Sequence, residues 1–451
     1  MSIADGSAAS RPWWIRRWPW ILAVVTVAAL VWIPLSIRAR GRAHYAAARA
    51  RMAAAGMGGG LEEFKRDAPV VDPNIQARWR SVVLRAGSCA LQMKPLRGRI
   101  SDWMVGGGPE PEGAREAYEA DAEIRADAAA LLAEGLPVPG VLGNWLASGG
   151  GRINPLGGIH CENLLGVKNL ANLFLVQAAF EEDPGAALAV LDRMHEAFAR
   201  PGALIDGMIG TILADTRDET YARLALAGRL PREAGDWWLA EEPVEPRRVA
   251  VSLRGERVLF LEPLAEGIAT GTISGADFSM DVGIRSSPSK WLEGRGEASA
   301  WWLHGSEAFA RVLEYYGEGE TALREGSALP TAPDVADAAG RLAGVIHTNL
   351  PALASTALMA RQRHRTARAF VRAVKAPIEG VLPAGGPAEL PIVVERMGAA
   401  RLRLRTDTSG TLPPAWQGIG LPMPPPDPSG PPKPFVWGYG FIEADLPAPP
   451  R

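Results

Sequence analysis

Cysteine is scarce in this chain. Two thiols in 451 residues, Cys89 and Cys161, exclude a disulfide-rich scaffold and any all-cysteine zinc or iron–sulfur site. Neither sign of charge dominates either: 48 Lys and Arg against 50 Asp and Glu leave a formal charge of -2, which argues against a dedicated nucleic-acid binder. The 50 glycines and 38 prolines follow no fixed period, so a collagen-like rod is excluded. Motifs of nucleotide and hydrolase chemistry are missing as well. No Gly-Lys-Ser/Thr closes a Gly-rich turn, and no His-Glu-x-x-His or Gly-x-Ser-x-Gly occurs, so no cofactor is expected.

What the chain does have is one long greasy run. The twenty residues from Trp18 to Ile37 carry no charge. As a helix they cover about 30 Å, the thickness of a bilayer's hydrocarbon core. Arg16 and Arg17 close one end and Arg38, Arg40 and Arg42 the other, while Trp13, Trp14, Trp18, Trp20 and Trp32 supply rings suited to the headgroup layers. A cleavable signal peptide would have a shorter apolar region ending in small residues, whereas this run leads straight into Arg38, so an uncleaved single-pass anchor is expected. Its lipid partner is the bilayer, met through residues 18–37. The orientation signals conflict. Arg11, Arg16 and Arg17 precede the run and Arg38, Arg40, Arg42, Arg49 and Arg51 follow it, yet a short basic cluster before a first helix usually stays inside and long domains translocate regardless of charge. The reading adopted is a cell-membrane protein whose body is extracytoplasmic.

Composition divides the rest. A tail (1–17) and the membrane helix (18–37) lead into a basic helical stalk with a Gly-rich joint (38–60). A helical body (61–235), a Trp-rich and helical second region (236–380) and a C-terminal region of strands and proline (381–451) complete the chain. In the body, short helices are expected at Leu61–Lys65 and Ile75–Ala86, a longer one over Pro111–Glu134, then a loop from Gly135 to Gly158. Helices Glu162–Glu181, Ala186–Arg200 and Ala203–Ala227 follow, joined by short turns. In the second, Ala187, Val190, Leu191, Met194 and Phe198 fall on one side of a 3.6-residue helix and predict a buried stripe. Helical patterns recur at Arg247–Phe260, at Ser299–Tyr316 and over Val335–Val374 with a break near Pro351. Further on, Arg401, Arg403 and Arg405 alternate with Leu402 and Leu404, the period of a half-buried strand that Ile392–Glu395 would pair with. Ten prolines between Leu412 and Pro434 favour an extended segment, and Phe435–Ile442 reads as a closing strand. The fold class expected is mainly α, with a single transmembrane helix, a helical-hairpin body and a small C-terminal β region.

Candidate chemistry is thin. Ser287-Pro-Ser-Lys290 matches the Ser-x-x-Lys spacing of acyl-serine enzymes, in which the lysine helps deprotonate the serine, but no Ser-Asp-Asn or Lys-Thr-Gly follows. His160 and Cys161, followed by Glu162, would set a thiol at a helix start, where the dipole favours the thiolate. Adjacent side chains diverge, so no metal site is expected there. In an oxidising compartment Cys161 would have Cys89 as its one disulfide partner, a closure that contributes about 4 kcal/mol in the chain-entropy model. Arg361, Arg365, Arg368, Arg372 and Lys375 recur at helical spacing and form a basic stripe, a candidate face for headgroups or an acidic partner and otherwise a solvated helix side.

Several short motifs resemble a loose group of single-anchor bacterial envelope proteins. They are Leu61-Glu-Glu-Phe64 running into Pro69-Val-Val-Asp-Pro73-Asn74, Asp183-Pro-Gly-Ala-Ala-Leu188, and Leu253-Arg-Gly-Glu-Arg257. Leu421-Pro422, Asp427-Pro428, Gly430-Pro431 and Phe435 to Tyr439 echo that group's C-terminal pattern approximately. No motif in it is catalytic, so the resemblance implies architecture and leaves activity open. The turn into Gly185-Ala-Ala-Leu188 is also similar to a tetratricopeptide-type hairpin, without a second matching unit. The expected role is a non-catalytic scaffold or interaction component with an unidentified protein partner. The alternatives are an envelope hydrolase using Ser287 and Lys290 or Cys161 and His160, and an accessory of secretion or pilus assembly.

Overall fold

The computed structural model describes residues 13–57, 60–138, 140–149, 164–199, 202–241, 245–270, 272–273, 288–346, 350–386, 388–398, 400–417, 434–438 and 440–446. The chain is mainly helical, with one long apolar N-terminal helix and a small antiparallel sheet of five strands at its C-terminal end. It divides into two units. The smaller holds the described residues of Met1–Ala54, Leu264–Leu313 and Pro333–Ile346, and the larger those of Ala55–Pro263, Glu314–Ala332 and His347–Arg451.

In the smaller unit α1 (Trp13–Ala54) runs unbroken from the apolar stretch into the basic stalk. Pro19 sits in its second turn, and Pro34 is accommodated without ending the helix. The stretch from Trp20 on is long and apolar enough to cross a membrane, and its most apolar window has no buried residue. Beyond Ile37 the environment changes. Gly41, Tyr45, Ala48 and Met52 recur along one side of the helix and are buried, so the stalk is a packed element of this unit.

The larger unit is built from α2 (Leu61–Asp67), α3 (Pro73–Gly106), α4 (Ala114–Ala120), α5 (Ala122–Glu134), α6 (Gly140–Ala147), α7 (Leu164–Phe180), α8 (Gly185–Ala197), α9 (Leu204–Leu226), α10 (Arg232–Ala240) and α11 (Glu245–Glu256). A π-helical turn (Arg257–Leu261) continues α11 into α12 (Glu262–Thr270), whose residues from Leu264 on belong to the smaller unit. The chain then adds α13 (Pro288–Glu325, of which residues to Leu313 belong to the smaller unit), α14 (Ala338–Ile346, wholly in the smaller unit) and α15 (Leu350–Lys375). Asp72 starts α3 by accepting the backbone N–H groups of Asn74 and Ile75, with Pro73 at the first helical position, where its missing N–H costs nothing. From that start α3 runs on to Gly106, far past the end of the helix expected at Ile75–Ala86. The stripe expected on α8 is observed: Ala187, Val190, Leu191, Met194 and Phe198 are all buried. Each large member contributes about 1.5–3 kcal/mol by leaving water.

Two expectations are corrected. The stretch from Gly135 to Gly158 is not all loop, because α6 forms inside it. Pro111–Glu134 is two helices, separated at Asp121. Pro351 lies in the first turn of α15.

The sheet has the order β1-β2-β3-β5-β4 (Gly380–Leu382, Ile392–Met397, Arg401–Thr406, Phe441–Asp445, Phe435–Gly438), with every pairing antiparallel. The single strand expected at Phe435–Ile442 is therefore a hairpin, whose Gly438 faces Phe441. Leu402, Leu404, Ile392, Val394 and Ile442 point inward and join Phe370 of α15 and the α3, α7 and α8 side chains in one core. On the other face Arg403 pairs with Glu443 at 2.9 Å, Arg405 with Glu395 at 3.3 Å, and Arg401 also contacts Glu443. Period-two alternation thus separates an apolar face from a ladder of ion pairs. In the proline-rich stretch Pro414–Trp416 form one 3-10 turn that buries Trp416, whose indole donates to the Ala388 carbonyl at 3.0 Å. Residues 418–433 lie outside the described part.

Candidate functional site

Of the residues singled out from sequence, Cys89 and the basic stripe have described side chains. Ser287, His160 and Cys161 lie outside the described residues, and Lys290 falls in the first turn of α13 with its side chain outside them. Cys89 is a half-buried thiol on α3, pushed up to about 12 by burial and by the neighbouring Asp121 carboxylate. The basic stripe is engaged by the protein's own atoms. Arg361 pairs with Glu389 at 2.8 Å and Arg365 with the same carboxylate at 3.0 Å. Arg368 donates to the Glu241 and Leu239 carbonyls, Arg372 to that of Leu239 at 3.4 Å, and Lys375 lies 3.9 Å from Asp236. Among the described residues no group of three or more His, Cys, Asp or Glu side chains is arranged to hold a metal ion.

The most unusual chemistry lies where α8, α9, α10, α11 and α15 meet in the larger unit, and sequence reasoning missed it. Helix α9 is buried on nearly every side yet carries Asp215, Arg217, Asp218 and Glu219 in one run. Arg217, 1% exposed, extends both terminal nitrogens to Glu241 at the end of α10, at 3.2 and 2.6 Å. It also lies 3.6 Å from Asp218 and 3.8 Å from Asp192 of α8. Burial works against its charge, but Asp218, Glu241 and Asp192 together outweigh burial and hold the guanidinium more firmly protonated than usual.

His195 of α8 lies between two guanidiniums, with Nδ1 2.9 Å from Arg217 and Nε2 2.9 Å from Arg248 of α11. Arginine only donates and a neutral imidazole offers one lone pair. Each tautomer therefore accepts from one guanidinium, Nδ1 from Arg217 or Nε2 from Arg248, and the Glu241 carboxylate lies 3.7 Å from Nδ1. Arg248 reaches this position because Gly210 of α9 is bare: a Cβ there would lie 2.8 Å from Arg248 Cδ.

A second pair completes the cluster. Asp218 accepts the Trp238 indole N–H at 3.0 Å through one oxygen and meets His364 Nδ1 of α15 at 2.8 Å through the other. This geometry places the His364 proton on Nδ1. His364 Nε2 is buried, and no hydrogen-bond partner reaches it among the described residues. Tyr221, stacked on Trp238 at 4.9 Å, donates to Asp192 at 2.8 Å. Burial pushes the Asp192 carboxyl up to about 6 against the pull of Arg217 and the Tyr221 hydroxyl. Around the edge, Arg363 contacts Asp215, which also accepts the Trp437 indole N–H at 3.0 Å.

Across this cluster Arg217, Arg363 and Arg368 face Asp192, Asp215, Asp218 and Glu241, and Arg248 meets His195. The two cavities described in this unit, of about 280 Å³ beside Met57 and Thr321 and about 120 Å³ beside Val70 and Leu136, are lined by none of its members. An Asp–His couple of this geometry can move a proton, but the two residues are each 2% exposed at the side chain, which suits holding helices in register. The signal that could have found the cluster is the density of charge within α9, which its apolar surroundings leave no face to solvate.

A further buried carboxylate ties α6 to α9. Asp206 accepts the Val141 N–H at 3.0 Å, the Gly202 N–H at 3.1 Å and the Leu142 N–H at 3.4 Å. Burial pushes this carboxyl from 3.8 to about 6, against those N–H groups. The folded state therefore binds this proton more tightly than the unfolded chain, so the group's contribution to stability is complete below about pH 4 and is lost as pH rises through about 6. Between pH 4 and 7 the stability of the natural chain relative to Asp206→Asn should fall by about 3 kcal/mol. Urea unfolding across that range measures the difference, and a gap independent of pH would contradict the assignment.

No protein-family model, no curated protein and no solved structure matches this chain.

Proposed function

We propose that this protein is a single-pass, membrane-anchored scaffold of a bacterial envelope, its helical body held outside the cytoplasm and acting through protein contacts rather than catalysis. One observation carries the reading. Trp18, Trp20, Leu30 and Trp32 are 60–74% exposed on a helix that continues directly into a packed stalk. A bare apolar surface of this length requires a non-aqueous environment, and a bilayer core matches it. The buried ion cluster supports the scaffold part, since its ion pairs and hydrogen bonds tie α8, α9, α10, α11 and α15 to one another.

Protease added to intact spheroplasts of the native host tests both location and role. The body should be cleaved from outside, and cross-linking in whole cells should give one discrete, stoichiometric adduct. Protection of the body would place it in the cytoplasm instead. Turnover of an acyl-serine probe by the purified protein, abolished in Ser287→Ala, would replace the scaffold with a hydrolase.

A further inference from the structure

The smaller unit grips α1 immediately after the apolar run ends. Arg38 and Arg42 both donate to the carbonyl of Ala269, in the last turn of α12, at 3.3 and 2.5 Å. Cations are favoured at that end of a helix. The Arg38 guanidinium also lies over the ring of Trp302 of α13, 4.9 Å from its centroid. One turn on, Gly41 meets the backbone of Glu307, whose carboxylate pairs with His44 Nδ1 at 2.9 Å. Tyr45, Ala48 and Met52 then carry the packing away from the apolar run.

This order of contacts fixes a level. Arg38 is the first residue past Ile37, so the side chain that meets Trp302 leaves α1 where the apolar run ends. Trp302 is the residue found there, and it remains 42% exposed after Arg38 has covered part of it. An indole combines an apolar body with one N–H donor, which suits the boundary between acyl chains and phosphate. Arg40 and Arg42 stand exposed at the same level.

We propose that Trp302, with Arg40 and Arg42, forms a second membrane contact that seats the smaller unit on the phosphate-bearing headgroup layer. The proposal rests on the anchor reading above: α1 crosses the bilayer, and Trp302 is an interfacial residue contributed by a different helix. The surface it fits is a bilayer containing anionic phospholipid, attracted by the arginines and entered by the indole.

The test uses the full chain with both cysteines changed to serine, in nanodiscs of phosphatidylcholine and phosphatidylglycerol. Spin labels are placed singly at Val27→Cys, within the apolar run, and at Trp302→Cys. Collision with a water-soluble nickel chelate should be lost almost completely at 27 and reduced several-fold at 302 relative to the free label. Full, water-like collision at 302 with protection at 27 would overturn the second contact and leave the anchor standing. Water-like collision at both positions would overturn both. An independent readout avoids the label: brominated phospholipid should quench less of the tryptophan emission in Trp302→Phe than in the natural chain, and equal quenching would overturn the proposal.

Discussion

Replacing Arg217 with alanine is expected to destabilise the larger unit by about 3–5 kcal/mol, because removal of one partner leaves Glu241, Asp218 and Asp192 buried without their shared cation. The side chain is 1% exposed, so water cannot reach in to replace it without opening the junction of α8, α9 and α10. Loss of packing around the guanidinium stem adds to the effect. A conservative Arg217→Lys should recover only part of the loss, since one ammonium cannot reproduce the two-nitrogen contact with Glu241. The double change Arg217→Met with Glu241→Gln should be less destabilising than the sum of its parts, the signature of residues in one network. Urea unfolding followed by near-ultraviolet circular dichroism measures all three. An Arg217→Ala variant as stable as the natural chain would show that the cluster does not hold these helices.

Gly140→Ala should be the second most damaging of the substitutions considered, at about 2–4 kcal/mol from left-handed strain combined with loss of helix-start hydrogen bonds. Gly140 opens α6 with φ +69°, a conformation that disfavours a side chain, and an added methyl would overlap the Asp206 carboxylate. Relief requires α6 to withdraw from Asp206, which strands that carboxylate and frees the N–H groups of Val141 and Leu142. Trp145 and Leu142 belong to the core packed under Phe64, so the displacement spreads beyond the turn. Combining Gly140→Ala with Asp206→Ala should cost less than both separately, because the clash disappears with the carboxylate. An unchanged urea midpoint in Gly140→Ala would contradict this account of how α6 is held.

What sequence could and could not announce follows from the range of the interactions concerned. The α8 stripe and the alternation in β3 are local periodicities set by one element facing one core, and both were legible. Helix α6 was not, because its Gly- and Pro-rich surroundings read as loop while the carboxylate that stabilises it lies 65 residues away from Val141. The basic stripe on α15 was visible as a pattern, but its partners are the Glu389 and Asp236 carboxylates and the carbonyls of Leu239, Glu241 and Leu390, which no spacing rule reveals. His195 and His364 are unremarkable as single letters. They acquire chemistry only when α8 and α15 bring them to Arg217 and Asp218 on α9.

Anchoring by α1 underlies both the proposed role and the second membrane contact, and alkaline carbonate extraction of membranes from the native host tests it most directly. The full-length protein should remain in the membrane pellet, and mass spectrometry should recover peptides spanning residues 18–37 from it. Release of the protein into the carbonate supernatant, or a mature chain beginning beyond Ile37, would contradict the account.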